Sequence, residues 1–327
     1  MLDVAIIGAG LAGIYCGREL QGAEFQVALF DKSRGIGGRL ATRRVKEQRL
    51  DHGLPYWEVL GEHTAALTEL LIAEEILQPW TVATTASPNP ADWATLSPKE
   101  HWMAPMGMTA IAKYLAQDLI VYRGQRLITL QEMADHWQLV FDQGEPVHAK
   151  QVVLALPLPQ VITLTNSFIT VRDRLWDLSY DPALSLMVGY ETLKLDFPWQ
   201  ALRLSQHPTW HTISREGEKR SPTNPTLLLQ TTGIFTQRYL DAPDLTSVAQ
   251  ELLQELQTCF SLTDPLWWQI HRWRYAVPNI HYGQSYYQFS TKLPLIACGD
   301  WCLGSGIEGA IASGIAVGHY LSHSGVF

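Results

Sequence analysis

The sequence has little cysteine, little charge and no long apolar run. Its four cysteines, Cys16, Cys259, Cys298 and Cys302, form neither a CxxC pair nor the Cys/His spacing of a metal site, and a chain of 327 residues does not need disulfides to fold. We therefore expect free thiols, no metal centre and a cytoplasmic location. No apolar stretch reaches the roughly 18 residues that span a bilayer, and the N-terminal MLDVAIIGAG has no basic region or cleavage site. These absences predict that the protein has no membrane anchor and is not exported.

An excess of basic residues is also absent. Lys and Arg total 24 against 32 Asp and Glu, so the formal net charge is −8 and nucleic acid and anionic membranes are unfavourable partners. The composition is instead that of a globular protein, with 46% hydrophobic residues and twelve tryptophans. Such a length fits one large or two modest domains and buries a sizeable core.

The first thirty residues are typical of a strand, a glycine turn, a helix and a second strand. Val4–Ile7 is a short apolar run, GAGLAG follows at 8–13, and the next apolar run ends at Asp31, 21 residues after Gly10. In such a unit glycines let the backbone approach a pyrophosphate, and the helix N-terminus supplies amide donors. The acid accepts hydrogen bonds from a ribose 2′-hydroxyl, which indicates FAD or NAD. The predicted contacts are Gly8, Gly10, Leu11, Ala12, Gly13, Asp31 and Lys32.

Two further segments follow this unit. Residues 32–44 read KSRGIGGRLATRR and residues 50–57 read LDHGLPYW; taken alone, the first is also typical of a solvated basic loop. A GGR segment after the ribose acid and a D-x-G turn together resemble the amine-oxidase-type flavoprotein family, which includes monoamine oxidases, carotenoid desaturases and renalases. The resemblance implies a non-covalent FAD, with Arg39 against its adenosine diphosphate portion. The implied contacts are Gly37, Gly38, Arg39, Asp51, Gly53 and Leu54.

The C-terminal region carries the rest of the family pattern. An apolar run ends at Gly299-Asp300, and GSGIEG at 304–309 opens a helix of small residues. Only 18 residues follow Gly309, too few for another strand and ribose acid, so we expect a single dinucleotide unit. The resemblance implies that Asp300 lies at the ribityl chain or pyrophosphate and that the last helix begins at the flavin. It adds as cofactor contacts Gly299, Asp300, Glu308, Gly309, Ala310 and, through its backbone to the adenine, Leu127.

The order of predicted elements indicates an α/β fold with two domains. A Rossmann-type FAD-binding domain is expected at 1–60, 105–160 and 290–327, and a smaller α+β substrate domain at 61–104 and 161–289. The substrate domain is expected to be built on an antiparallel sheet, with apparent strands at 183–191 and 226–232. The resemblance implies this architecture, which is similar to that of p-hydroxybenzoate hydroxylase and amine oxidases.

Within the family the sequence is most similar to the renalase branch. PMGM at 105–108, LPLP at 156–159 and WRY at 273–275 are renalase-like, and the chain is too short for the larger substrate domains of monoamine oxidases and carotenoid desaturases. DHGL at 51–54 and GDWC at 299–302 depart from the pattern and leave the substrate open. The resemblance implies oxidation of 1,2- and 1,6-dihydropyridine isomers of NAD(P) to NAD(P)+, with dioxygen as acceptor and hydrogen peroxide as product.

A dihydropyridine is already a strong hydride donor, so the main task of such a protein is to hold its ring against the flavin. Aromatic faces stack on this ring, and arginine binds phosphates in a bidentate manner. The residues predicted at the reacting centre are His211, Trp273, Arg274 and Tyr275. The predicted substrate-binding residues are His101, Trp102, Tyr180, Gln230 and two phosphate-facing cations, Lys219 and Arg220.

Plainer roles are open for these residues. Tryptophans among strands usually belong to a core, Arg274 has the alternative of a salt bridge, and Lys219 and Arg220 have that of a solvated loop. His52 either hydrogen-bonds the backbone or tethers the flavin covalently. The function has alternatives as well: an amine- or carotenoid-type FAD oxidoreductase, or a flavin-binding redox sensor without turnover.

Overall fold

The computed structural model describes residues 1–45, 47–168, 174–193, 195, 197–220, 225–304 and 306–323. Its strands, numbered in chain order, are β1 (Leu2–Ile7), β2 (Val27–Asp31), β3 (Arg43–Val45), β4 (Gln48–Leu50), β5 (Gln78–Thr85), β6 (Lys99–Met103), β7 (Val121–Arg123), β8 (Leu127–Glu132), β9 (Trp137–Phe141), β10 (Val147–Leu154), β11 (Tyr180–Gly189), β12 (Ala201–Leu204), β13 (Trp210–Ser214), β14 (Thr226–Thr231), β15 (Trp267–Pro278), β16 (Tyr287–Gln288) and β17 (Leu295–Ala297). Its helices are α1 (Leu11–Gly22), α2 (Glu62–Ala73), α3 (Thr109–Leu115), α4 (Leu158–Thr165), α5 (Gly233–Gln237), α6 (Thr246–Phe260), α7 (Asp300–Leu303) and α8 (Ile307–His323), with 3₁₀ turns at Gly38–Leu40, Pro90–Asp92, Arg174–Asp177 and Glu216–Lys219. None of the helices in these ranges is long and apolar enough to cross a membrane.

The first sheet has the strand order β16-β17-β10-β1-β2-β7, with parallel pairing from β17 to β7 and with β8 and β9 attached through β10. Val4 of β1 lies between Val27 and Gln151, and Val4–Ile7 are buried, as expected for a central parallel strand. Parallel strands need a crossover, which α1 makes between β1 and β2. The predicted α/β fold with a Rossmann-type unit is thus confirmed.

The second sheet has the order β15-β11-β14-β13-β12-β5-β6. Its pairs are antiparallel apart from β12 with β5, so the predicted antiparallel character is confirmed with one parallel exception. Leu184, Leu186 and Val188 of β11 join the apolar cluster under α6. Because side chains alternate along a strand, Ser185 and Met187 face the other side of the sheet.

Most of the tryptophan side chains lie in the hydrophobic core. The largest fully buried side chains include Trp57, Trp80, Trp93, Trp137, Trp199, Trp210 and Trp301. In the apolar cluster under α6, the rings of Trp93 and Trp210 lie 5.9 and 6.2 Å from that of Phe260. Trp273 differs from this set because it is only half-buried.

The two GxGxxG segments share a local geometry. Gly8 has a φ of +107°, and a Cβ on Gly13 would lie 2.0 Å from the Gly8 carbonyl oxygen. Gly304 has a φ of +78°, and a Cβ on Gly309 would lie 1.7 Å from the Gly304 oxygen. Both turns therefore require glycine and start a helix at the equivalent position, although Ser305 lies outside the described residues.

The helices that follow these turns pack against each other. A Cβ on Gly314 of α8 would lie 2.2 Å from the Ala12 oxygen of α1, so only glycine permits this approach. His319 and Glu19 join the same helices at 3.1 Å further along. The N-termini of α1 and α8 consequently lie beyond the carboxyl ends of the parallel strands, where ligands of such sheets bind.

Candidate functional site

Gly10 and Gly38 lie together after the carboxyl ends of β1 and β2 and border open space, which we call the glycine cleft. Among the described residues, no atom outside the adjoining chain lies within 4 Å of the position that a Cβ on Gly10 would take, and a Cβ on Gly38 would lie 3.5 Å from the Gly10 Cα. The Gly37 amide donates to the Ala9 oxygen at 2.7 Å, which holds the GGR segment against the first turn. Within the described residues α1 has no side-chain cap and no acid in its first turn. Free helix N–H groups beside open space suit a pyrophosphate.

Asp31, the last residue of β2, lies beside the glycine turn. Its Oδ2 accepts from the Ala9 amide at 2.9 Å and its Oδ1 from the Ser33 amide at 2.7 Å, which orients the carboxylate and leaves lone pairs for hydroxyl groups. Lys32 is exposed beside it, and Leu127 is buried at the start of β8. Of the predicted contacts, Gly8 and Gly10 lie in the glycine turn, and Leu11, Ala12 and Gly13 are the first residues of α1. Together these groups fit the adenosine diphosphate half of FAD.

Arg39 and Asp300 contact each other. The Arg39 Nη1 lies 2.6 Å from Asp300 Oδ2, its Nη2 lies 2.7 Å from Oδ1, and Nη1 also donates to the Ala276 oxygen at 2.9 Å. Asp300 is buried and follows Gly299, whose amide donates to Ser313 Oγ at 3.0 Å. Sequence reasoning assigned both charges to the cofactor separately. In the fold they neutralise each other and join the GGR segment to the Gly-Asp turn.

The D-x-G turn crosses beneath the second sheet. The His52 oxygen accepts from Trp273 Nε1 at 2.8 Å and from Ser185 Oγ at 2.7 Å, and the Gly53 oxygen accepts from Gln230 Nε2 at 2.6 Å. These three donors belong to β15, β11 and β14. Gln230, predicted to bind substrate, thus uses its amide to hold the turn, and Ser185 is a positioning residue that sequence reasoning missed.

The backbone of this turn is also bound to the GGR segment. The Leu54 amide donates to the Arg39 oxygen at 2.8 Å, and the Gly53 amide donates to the Ala41 oxygen at 3.2 Å. The turn therefore joins the GGR segment to the second sheet. Gly53 and Leu54 belong to the segment where the resemblance places the cofactor.

β15 presents two different faces. Arg272 donates to the Leu240 and Ala242 oxygens, and Arg274 pairs with Asp241 at 2.9 Å, so both arginines face the 240–242 loop. Trp273 faces the opposite side and donates to the His52 oxygen of the D-x-G turn, and Tyr275 packs against Tyr180. Arg274 therefore points away from Trp273, its neighbour on the strand, and its pair with Asp241 is the salt bridge that the sequence left as its alternative role.

Tyr180, at the start of β11, continues this aromatic row. Its ring centroid lies 5.6 Å from that of Tyr275, and its hydroxyl accepts from the Leu158 amide at 3.2 Å. Burial and the negative charge of Asp300 raise the pKa of Tyr180. The hydroxyl therefore stays protonated, and the row from Trp273 to Tyr180 is uncharged.

His52, His271 and Trp273 form an aromatic cluster at the D-x-G turn. The His52 ring centroid lies 4.9 Å from that of His271 and 5.3 Å from that of Trp273. The ring centroids of His271 and Trp273 are 4.6 Å apart. Burial, His271 and Arg43 lower the pKa of His52 to about 3, and burial and Arg43 lower that of His271 to about 4. Both imidazoles are therefore neutral at pH 7. Sequence reasoning missed His271, although a period of two from Trp273 indicates it.

Asp51, Glu216, Lys219 and Arg220 form a buried cluster of two acids and two bases. Lys219 Nζ lies 2.5 Å from Glu216 Oε1 and 3.2 Å from Asp51 Oδ2, and Arg220 Nη2 lies 2.6 Å from Asp51 Oδ2. Although burial raises the pKa of Asp51, the charges of Lys219 and Arg220 hold it below its usual range. The side chains of Lys219, Glu216 and Asp51 have no exposed surface.

This cluster changes the roles predicted for its members. Lys219 and Arg220 were expected to face phosphates or solvent, but they are bound to carboxylates and to the Pro55 and Pro105 oxygens. Asp51 was expected to contact the cofactor, but its carboxylate is occupied by these cations. The cluster instead ties the D-x-G turn to the 3₁₀ turn after β13. Glu216 completes it and was not among the predicted residues.

Glu308, in the first turn of α8, caps a different helix. Its carboxylate accepts from the His63 amide at 3.0 Å, the Thr64 amide at 2.8 Å and Thr64 Oγ1 at 2.7 Å, all at the start of α2. The side chain therefore serves α2, in contrast to its predicted cofactor role. Gly309 and Ala310 lie in the same first turn of α8, as the resemblance implies.

His101 and Trp102 lie far from Trp273 in the second sheet. They belong to β6, and Trp273 belongs to β15, at the other end of a strand order that separates them by six spacings, roughly 29 Å. His101 stacks on Tyr56 with ring centroids 5.3 Å apart, and His211 lies between the two edges on β13. The structure therefore does not bring these three predicted residues together with the β15 row.

Comparison with known proteins agrees with this layout. A family model described as an NAD(P)-binding Rossmann-like domain matches residues 6–71, and one described as a flavin containing amine oxidoreductase matches residues 82–318. A putative protoporphyrinogen oxidase from Exiguobacterium sp. 255-15 has a similar structure, with a TM-score of 0.74, 13% identity and 98% of each chain covered. Wild-type putrescine oxidase bound to putrescine is similar with a TM-score of 0.67, 14% identity and 98% of each chain covered. At these identities the structural similarity concerns the fold alone.

Proposed function

The chain belongs to the flavin-containing amine oxidoreductase family and has FAD as its cofactor, and from this premise we propose that it is a renalase-type oxidase of dihydropyridine nucleotides. In the proposed reaction a 1,2- or 1,6-dihydro isomer of NAD(P) loses a hydride from a ring carbon. With one dioxygen and one proton the products are NAD(P)+ and hydrogen peroxide. FAD supplies the two-electron acceptor that links these half-reactions.

The residues that would hold the cofactor lie around the glycine cleft. Gly10, Gly38 and the N-terminus of α1 would bind the pyrophosphate, and Asp31 would accept hydrogen bonds from the ribose. The first turn of α8, which contains Gly309, and the D-x-G turn lie where the resemblance places the flavin. Their backbones, held by the contacts described above, would define its surroundings.

The observation that carries this proposal is the uncharged aromatic face of β15. His271 and Trp273 lie against His52 of the D-x-G turn, and Tyr275 and Tyr180 form a ring pair further along. Flat side chains stack favourably on a flat heterocycle, at about 0.5–1.5 kcal/mol per pair. A dihydropyridine needs orientation more than acid or base assistance, and this face supports that task.

An amine substrate makes other demands. An amine is a cation near pH 7, and its oxidation to an imine requires a proton to leave nitrogen. Among the described groups around the D-x-G turn, the Asp51 and Asp300 carboxylates are already bound to cations. The lowered pKa values of His52 and His271 make both imidazoles weak bases. These features favour the dihydropyridine over the amine.

Anaerobic mixing tests the proposal. The FAD-loaded protein is mixed separately with 1,6-dihydro-NAD, 1,2-dihydro-NAD, ordinary 1,4-NADH and putrescine, and the flavin absorbance is followed. We expect bleaching within seconds by at least one dihydropyridine isomer and none by 1,4-NADH. Rapid bleaching by putrescine alone would establish amine oxidation instead, and no bleaching by any donor would support a redox sensor.

A further inference from the structure

The β3–β4 hairpin turns one arginine toward the second sheet and its neighbour away from it. Arg43 pairs with Leu50 across the hairpin, and paired residues share a face. Leu50 and Val45 pack against side chains of β11, β14 and β15. Arg43 therefore also faces the second sheet, whereas Arg44 is exposed on the opposite side.

The Arg43 side chain lies among uncharged groups. Its Nη1 donates to Gln269 Oε1 at 3.3 Å, and with burial its charge lowers the pKa of both His52 and His271. Gln269 and His271 precede Trp273 on the same face of β15. Of the residues that the structure describes, no carboxylate forms an ion pair with Arg43.

A half-buried guanidinium in such surroundings is incomplete without an anion. It carries five N–H donors, and one long bond to an amide oxygen leaves most of them unused. Other arginines near this site are matched, Arg39 by Asp300 and Arg220 by Asp51. Withdrawing a charge from water costs free energy unless it is paired, and a phosphate fits the fork of a guanidinium.

We infer that Arg43 binds a phosphate of the nucleotide substrate whose ring packs on the aromatic face of β15. The inference rests on the proposed function and deepens it, because it assigns the ring and the anionic part of the substrate to neighbouring positions on one face. Trp273 and Tyr275 hold the ring, and Arg43 makes the charged contact beyond His271. FAD also carries phosphates, and the test below separates these two sources.

The first test compares two donors that differ in phosphate. One is 1,6-dihydro-NAD, and the other is N-methyl-1,6-dihydronicotinamide, which has the ring and no phosphate. Arg43→Gln should raise the KM for 1,6-dihydro-NAD about ten- to a hundredfold, the range of one charge-assisted contact, with little change in kcat. The KM for the phosphate-free donor should stay unchanged. Equal increases for both donors would overturn the inference.

Two matched variants control for folding and for the cofactor. Arg44→Gln removes the same charge from the other face of β3 and should leave both KM values unchanged. Arg43→Lys keeps a charge and should restore part of the affinity for 1,6-dihydro-NAD. All variants should retain the wild-type ratio of FAD to protein; loss of FAD in Arg43→Gln would mean that Arg43 serves the cofactor, and would overturn the assignment.

A binding measurement separates this inference from the proposed reaction. ADP-ribose carries the two phosphates of NAD without the nicotinamide, and its Kd for the FAD-loaded protein is measured by calorimetry. Arg43→Gln should weaken this binding at least about tenfold. If Arg43→Gln weakens ADP-ribose binding while no dihydropyridine reduces the flavin, the anion site is supported and the proposed reaction is refuted. No binding by the wild type, or an unchanged Kd in the variant, would refute the anion site.

Discussion

Arg39 and Asp300 form a bidentate ion pair across 261 residues of sequence. The pair joins the GGR segment beside the first glycine turn to the Gly-Asp turn before α7, and a bond from Arg39 to the Ala276 oxygen adds the end of β15. Three segments that line the candidate FAD site are therefore fixed by one guanidinium. This makes Arg39 a positioning residue for the whole site.

Arg39→Met should destabilise the protein by about 3 kcal/mol and lower its FAD content, because the variant leaves the buried Asp300 without a counter-charge. Urea unfolding and the ratio of flavin to protein absorbance measure the two effects. Arg274→Met is the matched control, since its pair with Asp241 is exposed and such pairs contribute less than about 1 kcal/mol. Equal losses in the two variants would contradict the assigned role of Arg39.

Lys219→Met should cost about 3–5 kcal/mol, because Asp51 and Glu216 would then share one remaining cation inside the protein. Urea unfolding checks this value. Lys150→Met provides the comparison, since Lys150 is half-exposed in its pair with Asp3 and its loss should cost below about 1 kcal/mol. A Lys219→Met variant as stable as Lys150→Met would show that the cluster contributes nothing to the position of the D-x-G turn.

The free energy of unfolding should fall as the pH decreases from about 6.5 toward 4. The folded-state pKa values of His52 and His271, about 3 and 4, lie below the ordinary value near 6.5. In that window the unfolded chain binds protons that the folded chain excludes, so acid favours unfolding; above it neither imidazole contributes. His271→Gln should reduce the slope by no more than about 1 kcal/mol per pH unit. A stability that increases between pH 6.5 and 5 would contradict these lowered values.

Asp51 makes a second acid-sensitive contribution to the free energy of unfolding, and this contribution is lost at lower pH. Its pKa is lowered in the folded protein, so its stabilisation is complete above the unfolded value near 3.9 and is lost as the pH falls further. The windows of the histidines and of Asp51 therefore adjoin with little overlap. The free energy of unfolding measured at pH 5.5 reflects the protonation of His52 and His271, and its value below pH 4 also reflects the protonation of Asp51.

The local parts of the fold were predictable because their signals are local. The strand at Val4–Ile7, the glycine turn and Asp31 lie within thirty residues, and their spacing alone specifies a βαβ unit. The turn before α8 was predictable for the same reason, because its glycines have the sequence spacing and the local geometry of those in the first turn. Such elements depend on backbone sterics and helix N-termini, which short sequence windows contain.

The charged contacts were not predictable because their partners are distant. Asp51 and Arg220 are separated by 169 residues, so no sequence window shows that each neutralises the other. Lys219 therefore resembled a loop cation although it is fully buried. The direction of Arg274 was more accessible from the sequence, since a strand that directs Trp273 to one face directs its neighbour to the other.

The role of the β15 row can be separated from that of the turn it holds. Trp273→Phe keeps a ring but loses the hydrogen bond to the His52 oxygen, whereas Trp273→Leu loses both. Flavin reduction should be slowed about two- to tenfold in the leucine variant and less in the phenylalanine variant, because ring contact is the larger contribution. Arg274→Leu, on the other face, should stay within about twofold of wild type. Equal rates for the two Trp273 variants would assign the residue to the turn alone.

The proposed role of this face of β15 is to hold a dihydropyridine ring. The rate of flavin reduction tests this role when the FAD-loaded protein is mixed anaerobically with 1,6-dihydro-NAD or 1,2-dihydro-NAD. We expect reduction within seconds by at least one of them, formation of one NAD+ per flavin, and no reduction by 1,4-NADH. Reduction by putrescine with both isomers inert would contradict it.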